Sequence, residues 1–165
     1  TLLALNETWK QVSANLRRQP EILLTYGEAL HRLGADDEAE SLLRKAIKQG
    51  YDARLARLYG LLRSKDTVKQ LQLAEGWLVQ QPKDPVLLLS LGRLSLSCEL
   101  WRKARDYLEA SLLLQPDAEN CAELARLLAS TGDSGRSNQL FQQGLKLMGT
   151  SLPALPQPTE GMRFG

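Results

Sequence analysis

The side chains in this sequence that could do chemistry are few and scattered. There is one histidine, His31, and no second histidine or clustered Cys, His and Asp spacing to complete a zinc site or a catalytic dyad. A lone imidazole can hold a haem iron axially, but no haem-attachment or Cys-Pro motif stands near it, so His31 reads first as a surface side chain. Cys98 and Cys121 each lie among apolar residues on an expected helix and read as buried free thiols of a reducing compartment, not as a disulfide or metal pair. The carboxylates Asp36, Asp37, Glu38 and Glu40 crowd the start of an expected helix, where capping and the helix dipole account for them without catalysis. No GxSxG elbow, GxGxxG turn or phosphate-cradling loop is present. The reading is of a protein that is not an enzyme and carries neither cofactor nor metal.

What remains is recognition by surface charge. Arg57, Arg93 and Arg126 recur on expected helices, and a stripe of guanidiniums suits a partner's carboxylates because each can bind one through two parallel hydrogen bonds. The plain alternative is that they pair with Glu28, Glu123 and their neighbours as solvated charges. Overall charge does not point to nucleic acid, since 21 basic residues face 19 acidic ones for a net +2. No uncharged apolar run approaches the ~18 residues a membrane span needs.

These residues must be positioned by helices, because Leu, Ala, Arg, Gln and Glu dominate while β-branched residues are scarce. The clearest unit runs from Pro85 to Pro116. Leu88, Leu91 and Leu94 surround Gly92 at helical spacing, and Ala104, Tyr107, Leu108, Ser111 and Leu112 follow on a second face closed by Pro116. Gly92 and Ala104, twelve residues apart, lie where the two helices cross, since a larger side chain there would push the backbones apart. Gly27 and Ala39 repeat that interval in 20–51, as do Ala125 and Ser137 in 118–149. In the third of these units Phe141, Leu140, Leu145 and Met148 are expected to form the inner face of the second helix.

The unit between, 52–82, departs from the template: Gly60 to Ala74 is fourteen, so it must pack differently or carry an irregular turn, with Trp77 filling a hole. Residues 1–18 read as one amphipathic helix through Leu5, Trp9, Val12 and Leu16, the second half of a repeat whose first half lies upstream. Prolines 153, 156 and 158 set 150–165 apart as an extended tail, either free or covering the last helix through Leu152 and Leu155. Helix pairs with small residues at the crossing and a terminal proline are the unit of tetratricopeptide repeats. The expected fold is all-α, a right-handed solenoid over 1–149 followed by the tail.

In such a solenoid the first helix of each pair lines a curved groove. The positions between the packed ones are Glu28, His31 and Arg32, then Arg54, Arg57, Leu61 and Lys65, then Val86, Leu89, Arg93 and Leu96, then Arg126. The carboxylate clamp of some tetratricopeptide domains adds Asn to Lys and Arg on the first helices. Those asparagines are missing here, which disfavours recognition of a chain terminus.

Longer motifs carry a family resemblance. LYG at 58–60, AEGWL at 74–78, the run from Pro82 to Leu94, LWRKARDYLEASLLLQP at 100–116 and ELARLLASTGD at 123–133 together resemble the C-terminal region of the proteobacterial HemY family, over Trp9 to about Pro158. The resemblance implies a tetratricopeptide domain, soluble and on the cytoplasmic face, behind an N-terminal inner-membrane anchor that would precede Thr1. It implies a non-catalytic organiser of protohaem biosynthesis whose partners are other enzymes of that pathway. The same family name covers a flavin-dependent protoporphyrinogen oxidase elsewhere, and the missing dinucleotide fingerprint argues against that activity. A second reading, a porphyrin- or haem-binding carrier, rests on His31 and the basic groove positions. A third is a general assembly factor for envelope proteins.

Overall fold

Helix boundaries follow from a small set of stop and start signals. Pro20 and Pro85 occupy first-turn positions, where the missing N–H costs nothing. Asp52, Asp66, Asp84, Asp117 and Asp133 cap helix starts by accepting from backbone amides two or three residues on. Gly34 and Gly132 turn the chain with positive φ immediately after a helix. The computed structural model describes residues 1–149 together with 155, 156, 158, 159 and 161. Among these residues it contains nine α-helices and no strand: α1 Leu2–Gln11, α2 Pro20–Arg32, α3 Asp36–Gln49, α4 Ala53–Leu61, α5 Thr67–Gly76, α6 Pro85–Ser97, α7 Trp101–Leu114, α8 Ala118–Ser130 and α9 Ser134–Leu147. None is long and apolar enough to cross a membrane.

The helices form an all-α solenoid. α2 packs on α3, α6 on α7 and α8 on α9 as antiparallel hairpins, while α4, α6 and α8 stack beside one another. The small residues sit at the crossings as their spacing requires. A Cβ at Gly92 would lie 2.7 Å from Leu108, and Ser137 Oγ donates to the Ala125 carbonyl at 2.7 Å. Two apolar clusters result, one spanning α2 to α6 and one spanning α6 to α9, with α6 contributing to both. Each leucine fully buried in them is worth about 1.5–3 kcal/mol.

The second unit is where the expected irregularity lies. α4 ends at Leu61, Leu62 is extended, and the buried Gln70 closes the turn. Its amide nitrogen donates to the Tyr59 and Leu62 carbonyls at 3.0 Å each, and its oxygen accepts from the Ser64 amide at 3.2 Å. Gly60 is not at an α4–α5 crossing at all: a Cβ there would meet Ser90 of α6 at 2.6 Å. α5 stops at Gly76 and passes into a 3-10 turn, Trp77–Val79, in which Trp77 packs edge-on against Tyr59 with ring centroids 4.8 Å apart.

Several expectations are corrected. The N-terminal helix ends at Gln11, not Arg18: Val12 is extended, and Arg17 folds back so that its guanidinium donates to the Val12 and Lys10 carbonyls at 2.8 and 2.6 Å. That guanidinium also lies over Trp9, which stacks on Tyr26 at 4.0 Å. Leu16 is left exposed in a 3-10 turn. Asp36 and Asp37 do not cap α3. Their carboxylates instead accept from the backbone amides of Arg63 and Lys65, fastening the irregular turn of the next unit. Of the four residues expected on the inner face of the last helix only Leu140 is buried, whereas Phe141, Leu145 and Met148 are exposed, because α9 packs chiefly on α8. Leu155 is exposed, and the expectation for Leu152 lies outside the described residues.

Candidate protein-binding cleft

Stacking α4, α6 and α8 side by side leaves a hollow where their C-terminal halves meet the turns that follow. Its volume is about 570 Å³. Leu61 of α4, Leu96 of α6 and Leu127 of α8 give it apolar walls, and Trp101, the first residue of α7, stands at one edge. The α6–α7 turn sets that tryptophan, with Glu99 in the left-handed region at φ 58° and the Leu100 amide donating to the Ser95 carbonyl at 2.9 Å. Trp101 is 53% exposed and also borders a second hollow, lined by Leu100, Arg102 and Tyr107 among others.

Charge enters through guanidiniums. Arg63, Arg93 and Arg126 line the cleft with a single carboxylate, Glu123. Arg93 is 12% exposed; its Nε donates to Glu123 at 3.3 Å and its Nη2 to Glu119 at 3.2 Å. Its other terminal nitrogen, Nη1, is buried with no acceptor, the one such side-chain atom among the described residues. Arg126 donates to Glu123 at 2.6 Å. Arg57 of α4 reaches Glu119 of α8 with both Nε, at 2.9 Å, and Nη2. The hydrogen bond from Arg57, with Arg93 behind it, holds the Glu119 carboxyl below the usual carboxylate range, and Glu119 in turn raises Arg57. The basic stripe is therefore interleaved with acid: Glu119 binds Arg57 and Arg93, and Glu123, one turn on along α8, binds Arg93 and Arg126.

Of the residues expected to face the groove, the structure gathers Leu61, Arg93, Leu96 and Arg126 into the cleft. Arg57 lies outside its lining, linked to it through Glu119, which also binds Arg93. Leu89 does not face the groove; it is 1% exposed, packed into the α6–α9 cluster. The reason is that helices flank α6 on both sides, so a side chain one step from the α4 contact meets α8 instead of solvent. Val86 is half-buried. Glu28 and Arg32 are exposed, and Glu28 bears on Arg57 through charge alone. Arg54 turns to the other end of α4, donating to Asp52 at 2.8 Å and Glu21 at 3.3 Å. Lys65 reaches Asp37, at 3.6 Å. His31 is outside the cleft, its Nδ1 2.8 Å from Asp36 Oδ1. Sequence reasoning missed Arg63, because it lies past the end of a shortened helix, and Glu119, whose signal was its place on the same face as Glu123 and Arg126.

No protein-family model matches the chain, and no curated protein does. Solved structures do. MamA 41-end from Desulfovibrio magneticus RS-1 superposes with a TM-score of 0.58 at 21% identity, over 79% of this chain and 76% of that one. MamA of MSR-1 gives 0.55 at 18% identity over 88% and 86%, and a further MamA crystal structure 0.57 at 16% over 88% and 85%. The likeness is one of fold. It places the chain among right-handed, tetratricopeptide-like solenoids, the architecture its repeated small residues predict.

Proposed function

We propose that this chain is a non-catalytic interaction module that holds a segment of a partner protein in the cleft between α4, α6 and α8. One observation carries the reading: the cleft combines apolar walls, an exposed tryptophan and three guanidiniums on a helical stack, the makings of a peptide site. The described side chains offer no group of three or more His, Cys, Asp or Glu that could hold a metal. On this reading residues 1–149 act as one module with repeats near 20–51, 52–82, 85–117 and 118–149, and 150–165 follow as a proline-rich segment. The narrower reading rests on the sequence resemblance to the HemY family alone: the parent protein is held at the inner membrane and its partners are enzymes of protohaem biosynthesis.

A photo-reactive amino acid placed at Leu96 of the parent protein, with one at Leu113 of α7 as the control, tests both levels. Protein adducts formed at Leu96 and not at Leu113 support the module, and haem-pathway enzymes among them support the narrower reading. Adducts without any such enzyme remove the narrower reading. Equal yields at the two positions remove the module itself.

A further inference from the structure

We infer that the cleft takes an extended acidic segment, with internal Asp or Glu side chains against Arg63, Arg126 and Arg93 and an apolar side chain against Trp101. This rests on the reading of the cleft as a protein-binding site. The lining is charge-biased beyond what the chain as a whole would give: three guanidiniums face one carboxylate, in a protein whose overall charge is +2 over 165 residues.

The donors of that lining are also under-used. The Arg63 guanidinium takes part in no ion pair among the described residues, its backbone amide alone being held by Asp36. Arg126 spends one nitrogen on Glu123 and is otherwise open to solvent. Arg93 keeps Nη1 buried without an acceptor, an unfavourable state unless another group supplies one. Guanidiniums call for planar oxyanions, and the protein's own carboxylates in the cleft stop at Glu123. A free chain terminus is the lesser fit, because the asparagines that grip a terminal carboxylate are absent from these positions.

Trp101 supplies the second half of the recognition. A large indole 53% exposed, beside Leu96 and Leu127 and within reach of both hollows, is an anchor for an apolar side chain of a segment that crosses the edge of the cleft. Aromatic and guanidinium groups together are the pattern that concentrates binding energy at protein interfaces.

The test is an array of short peptides in matched pairs, Glu against Gln and Asp against Asn, each with an amidated C-terminus and each probed with the purified chain. The expected binders are acidic. They lose about tenfold or more in affinity in the amide mate and in the Arg63→Ala, Arg126→Ala double variant, and they weaken as salt rises. Both arginines are exposed, so the double variant keeps the fold. Trp101→Phe lowers affinity without changing the preference for acid. Amide mates that bind as well as their acidic partners overturn the inference while the Leu96 adducts still stand. An array in which nothing binds above the double variant overturns it too. Loss of the Leu96 adducts is the separate result that removes the underlying reading.

Discussion

Glu119 of α8 reaches over α6 to hold Arg57 of α4, so one carboxylate ties three stacked helices through Arg57 and Arg93. These groups are partly exposed, so solvent and salt reduce the gain to about 1 kcal/mol or less. Glu119→Gln is expected to lower stability by that amount in urea unfolding at pH 7, and by less at high salt. Because Arg57 depresses the Glu119 pKa in the folded state, its contribution is complete above the ordinary value of 4.5 and disappears as pH falls through the lower folded value. The two proteins' stabilities should therefore converge on acidification. A difference that persists unchanged well below pH 4.5 would show that the carboxylate's charge is not what ties the helices.

Gly60 lets α4 and α6 approach to backbone distance. An added Cβ would sit 2.6 Å from Ser90 Cβ and 2.7 Å from its Cα, and Ser90 Oγ already donates to the Ala56 carbonyl at 2.7 Å. Gly60→Ala is expected to cost about 1–3 kcal/mol through overpacking, read as a lowered urea midpoint. Gly76→Ala is the control: its backbone is right-handed helical and nothing lies within 4 Å of the new methyl. It should be neutral or stabilising by up to about 1 kcal/mol.

Those two glycines also show what the sequence could and could not reveal. Where a helix crosses its own hairpin partner the requirement for a small residue is local, so Gly27 with Ala39, Gly92 with Ala104, and Ala125 with Ser137 are legible as an interval. Gly60 serves a crossing with a helix thirty residues on, and no interval inside its own unit reports that. The departure from twelve was visible, but its destination was not. Leu89 failed for the related reason that α6 is covered on two sides, which leaves no polar stripe to mark solvent. Asp36 and Asp37 have the sequence position of caps, and only tertiary structure brings the 63–65 turn close enough to claim them. In the cleft, Leu61, Leu96, Arg93 and Arg126 were readable from their helical faces, whereas Leu127 was not. Glu119, beside the cleft, shares a face with Glu123 and Arg126, but its pairing with Arg57, 62 residues away, leaves no local trace.

All four tyrosines are tethered through their hydroxyls to another segment: Tyr26 to Asn6 at 2.7 Å, Tyr51 to Asp84 at 2.5 Å, Tyr59 to Glu40 at 2.8 Å and Tyr107 to Glu75 at 2.9 Å. Burial raises every one of their pKa values, with the carboxylate partners adding to it for the last three, and Tyr107 is pushed up to about 12. Tyr51, Tyr59 and Tyr107 should thus stay largely un-ionised in the folded protein at pH 10 to 11, where the unfolded chain ionises. The sign follows: stability from these groups is fully present below pH 10 and is lost as pH rises through the folded values. Near-complete ionisation of the folded protein at pH 10.5 would contradict the tethers.

Glu99 is the one non-glycine described residue with positive φ, and it stands where the other hairpin turns place Gly34 and Gly132. The three turns share one hydrogen bond, from the third residue past the helix end back to a carbonyl in its last turn. Ala35 donates to Leu30, Leu100 to Ser95 and Asp133 to Leu128, each at 2.9 Å. A side chain in the left-handed region costs about 1–2 kcal/mol that glycine avoids, less what glycine loses by greater freedom when unfolded. Glu99→Gly is therefore expected to stabilise the protein by up to about 1 kcal/mol, a rise in Tm of roughly 2–4 °C for a chain of this size. Because the same turn sets Trp101, the variant should leave that indole's fluorescence quenching by acrylamide unchanged, and a rise in stability with altered quenching would mean that glycine had reset the turn instead of relaxing it.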